Sequence, residues 1–150
     1  MSGHELLSMG FNRGEVILSQ ALLHAYDKDS SEPFALLKMV LDTGATSTHI
    51  SKRVLGLVGY GDSMFKLDAK ESFAVVGKYT AQTCEIKRLE ALGISFGKRT
   101  VKVWEPPAGY HIDGIVGMDL IRYFNIEINM DVQKAYINPS QATKALQAKR

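Results

Sequence analysis

The chain has 150 residues, of which 45% are hydrophobic and 23% charged, enough for one domain with its own core and unlike a disordered chain. Its formal charge of +2 is too small to single out nucleic acid or a membrane surface as partner, and the basic residues are scattered apart from Lys144, Lys149 and Arg150. One cysteine, Cys84, excludes an intramolecular disulfide and, with no apolar run of bilayer length and no leader-like N-terminus, sets the expectation of a soluble, cytoplasmic protein.

Residues 1–14 show no clear period and are expected to be a flexible lead-in to a domain spanning 15–138. Residues 15–26 open with Val16 and Ile17 and read as a strand or bent strand pair, with a short helix at 21–25 as the lesser alternative. Residues 27–33 form a polar turn stopped by Pro33. Its alternating acids fail as a calcium loop, because Glu32 stands where glycine is needed and Lys38 where a bidentate Glu is needed. Residues 34–41 form a second apolar strand that ends at Asp42. After a turn over 43–48, a short helix is predicted over 52–57 with Ser51 as its cap.

A loop at 59–63 and a short strand at 65–67 follow. Residues 72–76 and 79–86 then read as paired strands, joined through Gly77-Lys78. Residues 89–96 and 100–104 make another pair around 97–99. The stretch 93–100 approaches a phosphate loop, but its glycine spacing is one residue short and Arg99 replaces the magnesium-binding hydroxyl. Pro106, Pro107 and Gly109 mark a rigid loop, followed by a glycine-bounded apolar run at 111–117. A helix is predicted over 118–124, with Asp119 in the first turn where the dipole favours an anion. Two last strands, 125–129 and 134–138, precede a solvated basic tail at 139–150. Many short strands with one helix near the end predict an all-β, closed-barrel domain.

Few residues can carry chemistry. His4, His24, His49 and His111 are too far apart in sequence for a zinc spacing, and each reads as a surface or packing residue. No Gly-x-Ser-x-Gly elbow is present. Cys84 lies mid-strand among apolar neighbours, which do not lower a thiol pKa. What remains is Asp42, a carboxylate at the end of an apolar run, followed by the Thr43 hydroxyl and Gly44. Asp-Thr-Gly is also a common turn sequence, and the tripeptide alone does not separate the two readings.

The run Leu41-Asp42-Thr43-Gly44-Ala45-Thr46 resembles the active-site motif of the retropepsin-like aspartic proteases. Two further stretches stand in the order that this family has them. Ala74-Val75-Val76-Gly77-Lys78-Tyr79 falls at the place of its substrate-covering flap hairpin, and Ile115-Val116-Gly117-Met118-Asp119-Leu120 is similar to its second signature. The resemblance spans residues 15–138 and implies an acid-protease β-barrel with a flap hairpin and one short C-terminal helix. The pattern Gly-Met-Asp-Leu is closer to cellular, bacterial or retroelement-derived relatives than to a virion enzyme.

Such a domain carries half an active site. Only one Asp-Thr-Gly is present, so the resemblance implies a homodimer that brings Asp42 from each subunit to a two-fold axis. It assigns Thr43 and Gly44 to support of the catalytic loop, and Ala45, Val75, Val76, Gly77, Lys78, Ile115 and Val116 to contact with a peptide or protein substrate. Val76, Ile115 and Val116 are equally plausible as core residues. No metal or other cofactor is implied. Met118 stands where the viral enzymes carry an arginine that braces the dimer, and 59–70 reads as an insertion. Two alternatives therefore stand beside an endopeptidase: a dimeric, non-catalytic peptide-binding or assembly domain, and a monomer in which Asp42 is only a turn residue.

Overall fold

The strand Phe34–Leu41 sets the architecture. Its pleat sends Leu37, Met39 and Leu41 to one side, where all three are buried, and Leu36, Lys38 and Val40 to the other. A computed structural model describes residues 7–12, 15–68, 72–74, 77–79, 81–138, 144 and 146. In chain order the strands are β1 Leu7–Asn12, β2 Glu15–His24, β3 Phe34–Leu41, β4 His49–Ser51, β5 Phe65–Leu67, β6 Ser72–Ala74 and β7 Gly77–Tyr79. There follow β8 Gln82–Ile86, β9 Leu89–Ala91, β10 Ile94–Phe96, β11 Arg99–Trp104, β12 Gly114–Val116, β13 Ile126–Asn129 and β14 Lys134–Ile137. Helix α1 spans Lys52–Leu57 and α2 Met118–Ile121. No helix among the described residues is long and apolar enough to cross a membrane.

Twelve strands form one sheet, running β13-β14-β1-β2-β3-β12-β4-β11-β8-β5, with the β9–β10 hairpin attached to β2 through β9. The expected all-β, barrel-type architecture is what the chain adopts. Its central feature is β12, which inserts between β3 (parallel) and β4 (antiparallel), although more than sixty residues separate it from either in sequence. The core gathers on one side of this sheet: Leu37, Met39 and Leu41 from β3, Ile50, Val54 and Leu55 from β4 and α1, Val101, Val116, and Leu120 and Ile121 from α2. On the other side a smaller cluster joins Ile17, Val40 and Ile112; Trp104 and Tyr110 pack against it and meet each other edge to face, with ring centroids 6.0 Å apart.

Several expectations need correction. Residues 7–12 are not a lead-in but strand β1, paired with β14 and β2; Leu7, Met9 and Phe11 alternate at the strand period, which the glycine and polar residues between them obscured. In the tail, Leu146 packs partly buried against the core. Residues 89–96 are two strands, not one, because Leu92 and Gly93 both take positive φ and close a two-residue hairpin. A buried leucine in that position gives no turn signal in sequence. Helix α2 ends at Ile121, short of the predicted 124, since Tyr123 and Phe124 bond back only three residues, to Leu120 and Ile121. Ser51 does occupy the cap position of α1, but its side chain makes no cap bond.

The two-stranded sheet β6–β7 stands apart from the main sheet, with Ser72 opposite Tyr79 and Ala74 opposite Gly77. This pairing moves the connection two residues earlier than predicted. Gly77 and Lys78 lie in β7, and the residues between the strands, Val75 and Val76, lie outside those described. A glycine marks a turn only where its flanks pair symmetrically about it, and here the symmetry is centred elsewhere.

Candidate active site

Asp42 follows Val40 by one strand period, at the end where β3, β12 and the start of β4 converge. Its backbone N–H donates to the Val116 carbonyl (3.0 Å), continuing the β3–β12 ladder by one bond. The chain then turns sharply. Gly44 N–H donates to Asp42 Oδ1 at 2.8 Å, and Ala45 N–H to the Asp42 carbonyl at 3.2 Å. The carboxylate is thus oriented by its own loop and only half-buried, while Thr43 and Gly44 are exposed. A Cβ on Gly44 would sit 3.2 Å from Asp42 Oδ1, so the residue type at 44 is coupled to the carboxylate it holds.

The loop is clamped from the second motif. Ala45 and Thr46 carbonyls accept from Met118 N–H (2.7 Å) and Asp119 N–H (3.2 Å). Asp119 returns the contact: its Oδ1 accepts the Thr48 hydroxyl at 2.8 Å, and its Oδ2 accepts Thr48 N–H at 3.1 Å. Gly117 N–H in turn donates to Thr48 Oγ1 at 3.2 Å. Gly117 has to be glycine here, because a Cβ would come within 2.5 Å of the Ser47 carbonyl group, which is backbone and cannot move aside. Nearby, Asp113 accepts Lys38 N–H (2.9 Å) and the Arg53 guanidinium (3.2 Å), tying the approach to β12 to β3 and α1.

Across the sheet the pairings Val40–Ile115, Ile115–His49 and His49–Lys102 put these four side chains in one row, on the face that carries Asp42. His49 Nδ1 lies 2.8 Å from the Ser47 carbonyl oxygen. Burial holds its pKa below the ordinary histidine value of 6.5, with the Ser47 carbonyl partly opposing this and the charges of Lys102, Asp119 and Asp42 all felt at the ring.

Of the residues singled out from sequence, Asp42, Thr43, Gly44, Ala45 and Ile115 come together at this convergence. Val116 does not line it. Val116 pairs with Leu41 on the opposite face and is fully buried in the core, so its role is packing. Gly77 and Lys78 lie in the separate β6–β7 hairpin. Sequence reasoning missed Thr48 and took Asp119 as a dipole partner only. The signal was present in a hydroxyl six residues after Asp42 and an acid two after Gly117, but it becomes legible only once β12 is known to lie against β4. Cys84, as expected, is buried, and its thiol is pushed up to about 11 by that burial. Among the described residues, no three His, Cys, Asp or Glu side chains are grouped to hold a metal ion.

No protein-family model matches the chain, and no curated protein matches it in sequence. Among solved structures it is similar to a retropepsin-like aspartic protease from Rickettsia conorii, with a TM-score of 0.63 and 17% identity over 89% of each chain. The EIAV protease in an inhibitor complex superimposes less well, with a TM-score of 0.43 and 18% identity over 58% of this chain and 75% of that one. The Rickettsia likeness extends over nearly the whole chain: this chain has the retropepsin-like fold.

Proposed function

We propose that the protein is an aspartic endopeptidase whose active site forms when two copies bring their Asp42 carboxylates together. The observation that carries this reading is the seat of Asp42, at the convergence of β3, β12 and β4, with Gly44 N–H on its carboxylate. The Rickettsia structure, itself a retropepsin-like aspartic protease, supports it through the shared fold. The chain holds one Asp-Thr-Gly, so the second carboxylate comes from the second copy.

Two carboxylates about 3 Å apart cannot both ionise and share a proton. The ionised member takes a proton from a water held between them. The protonated member polarises the scissile carbonyl, and the roles exchange as the amine leaves. Thr43, exposed beside Asp42, reaches across the axis to the facing loop. Ala45 and Ile115 contact the peptide. The β6–β7 hairpin, with Val75, Val76, Gly77 and Lys78, closes over it and pairs with its extended backbone.

Asp42→Asn tests the reading. The Asn carbonyl still accepts Gly44 N–H, so folding is retained, while hydrolysis of a peptide library falls by about a thousandfold. Cleavage undiminished in this variant overturns the assignment. Sedimentation of the unaltered protein bears on the second half of the proposal, because a chain that stays strictly monomeric cannot assemble the pair.

A further inference from the structure

Ser51 is only 4% exposed, yet its hydroxyl makes no hydrogen bond among the described residues, a cap on α1 included. Thr48, the other polar side chain buried to this degree, uses its hydroxyl twice. Buried hydroxyls ordinarily find a partner, so an idle one asks for a reason. Among the described residues no side-chain nitrogen or oxygen is both sealed from solvent and unsatisfied, so the Ser51 hydroxyl opens onto free space. That space is a surface cavity of about 450 Å³ lined by Ser51, Lys52, Arg53, Trp104, Glu105 and Pro106. Ser51 and Trp104 are partners across β4 and β11, so their side chains share a face. The cavity and Asp42 stand at opposite ends of β12. Ser51 N–H donates to the Asp113 carbonyl (2.8 Å) just before that strand, and Asp42 N–H to the Val116 carbonyl (3.0 Å) at its end. None of the six lining residues is used by the proposed chemistry.

Side-chain donors outnumber acceptors in this lining. Ser51 has its O–H, and the Trp104 indole N–H has no hydrogen bond among the described residues. Lys52 Nζ reaches only loosely to two exposed carboxylates, Asp62 at 3.5 Å and Glu105 at 4.0 Å, and one nitrogen of the Arg53 guanidinium is 3.2 Å from Asp113. The acceptors are Glu105 and the Ser51 oxygen itself. Trp104 and Pro106 add flat apolar wall. We propose that the cavity is a binding site for an aromatic carboxylate. Its ring lies against Trp104 and Pro106, and its carboxylate accepts from Ser51 and Lys52, taking the place of Glu105, with Arg53 at the rim. The exposed ion pair that Lys52 gives up is worth little. A ligand carboxylate gains a charge-assisted bond from a hydroxyl with no competing partner. The same chemistry is found in a free aromatic acid and at the C-terminus of a peptide ending in an aromatic residue.

The chain has one tryptophan, so a single indole N–H resonance in a proton–nitrogen NMR spectrum reports on the cavity. The probes are phenylacetate, its neutral counterpart phenylacetamide, and a short peptide ending in phenylalanine with a free C-terminus. Phenylacetate is expected to shift the Trp104 resonance saturably at about millimolar concentration. Phenylacetamide should bind about tenfold more weakly, and phenylacetate should lose about tenfold in Ser51→Ala and in Lys52→Met. Ser51→Ala removes no hydrogen bond within the protein, so its stability should be unchanged, and Lys52→Met guards against a Ser51 variant that misfolds. Tighter binding of the peptide than of phenylacetate assigns the site to chain ends, and the reverse order assigns it to a free acid. The proposal is overturned by a Trp104 resonance that does not move, by phenylacetamide binding as tightly as phenylacetate, or by undiminished affinity in either folded variant. Binding is read without hydrolysis, so the result is independent of the endopeptidase reading.

Discussion

The two faces of the β3–β12–β4 unit are made from alternate residues of the same three strands, and they do opposite work. Met39, Leu41, Val116 and Ile50 face inward, each 8% exposed or less, and join α1 and α2 in the core. Lys38, Val40, Ile115 and His49 face the other way and lead to Asp42. One residue of strand period thus separates the core face from the face that carries Asp42, as Val116 and Ile115 show. Rigidity at Asp42 is supplied from behind: the core face and the Thr48–Asp119 clamp hold the loop, while the opposite face grades from the buried Val40 to the half-buried Ile115, His49 and Asp42.

The difference can be broken most severely where the clamp leaves no room. Gly117→Ala puts a methyl group against the Ser47 carbonyl and is expected to cost about 3 kcal/mol or more, read as a lowered midpoint in chemical denaturation. Asp119→Asn leaves one carbonyl oxygen to replace two carboxylate oxygens, so either Thr48 N–H or the Thr48 hydroxyl and Leu120 N–H lose their acceptor. It is expected to cost about 2 kcal/mol, with Thr48→Val of similar size and the double variant losing less than the sum of the two. The face assignment itself is sharpened by a neighbouring pair. Val116→Ala should cost about 2 kcal/mol, as a buried truncation does, whereas Ile115→Ala should cost under about 1 kcal/mol and instead weaken peptide binding. Equal stability losses for the two would mean that the faces are not distinct.

The smallest effect is one of slope. His49 has a pKa below its unfolded value of 6.5, so the unfolded chain takes up that proton more readily than the folded one. The stability contributed by the neutral ring is complete above pH 6.5 and is lost as the pH falls through the lower folded value. Denaturation midpoints measured from pH 7 downward should therefore fall less steeply in His49→Gln than in the unaltered protein.

Much of this was legible in residues taken singly or in short runs. The apolar run 34–41 marked β3, and the Asp-Thr-Gly at its end marked the candidate site. Signals that are local in the chain but borne by atypical residues were misread: the Leu92-Gly93 turn, the β1 alternation interrupted by Gly10, and the Gly77-Lys78 connection that the pairing of Ser72 with Tyr79 displaced. The insertion of β12 between β3 and β4 was beyond local reading altogether. Thr48 and Asp119 are 71 residues apart, and Lys38 and Asp113 are 75 apart. The sequence by itself therefore determined which residues could do acid chemistry and which stretches would be strands, because these follow from side-chain type and the period of the pleat. Tertiary structure alone decided that Val116 is core while Ile115 lies on the face that carries Asp42, that Asp119, besides standing in the first turn of α2, clamps the loop through Thr48, and that His49 shares a face with Asp42. Each of these depends on which distant strand lies alongside, and strand pairing is made through backbone hydrogen bonds that nearly any residue can supply.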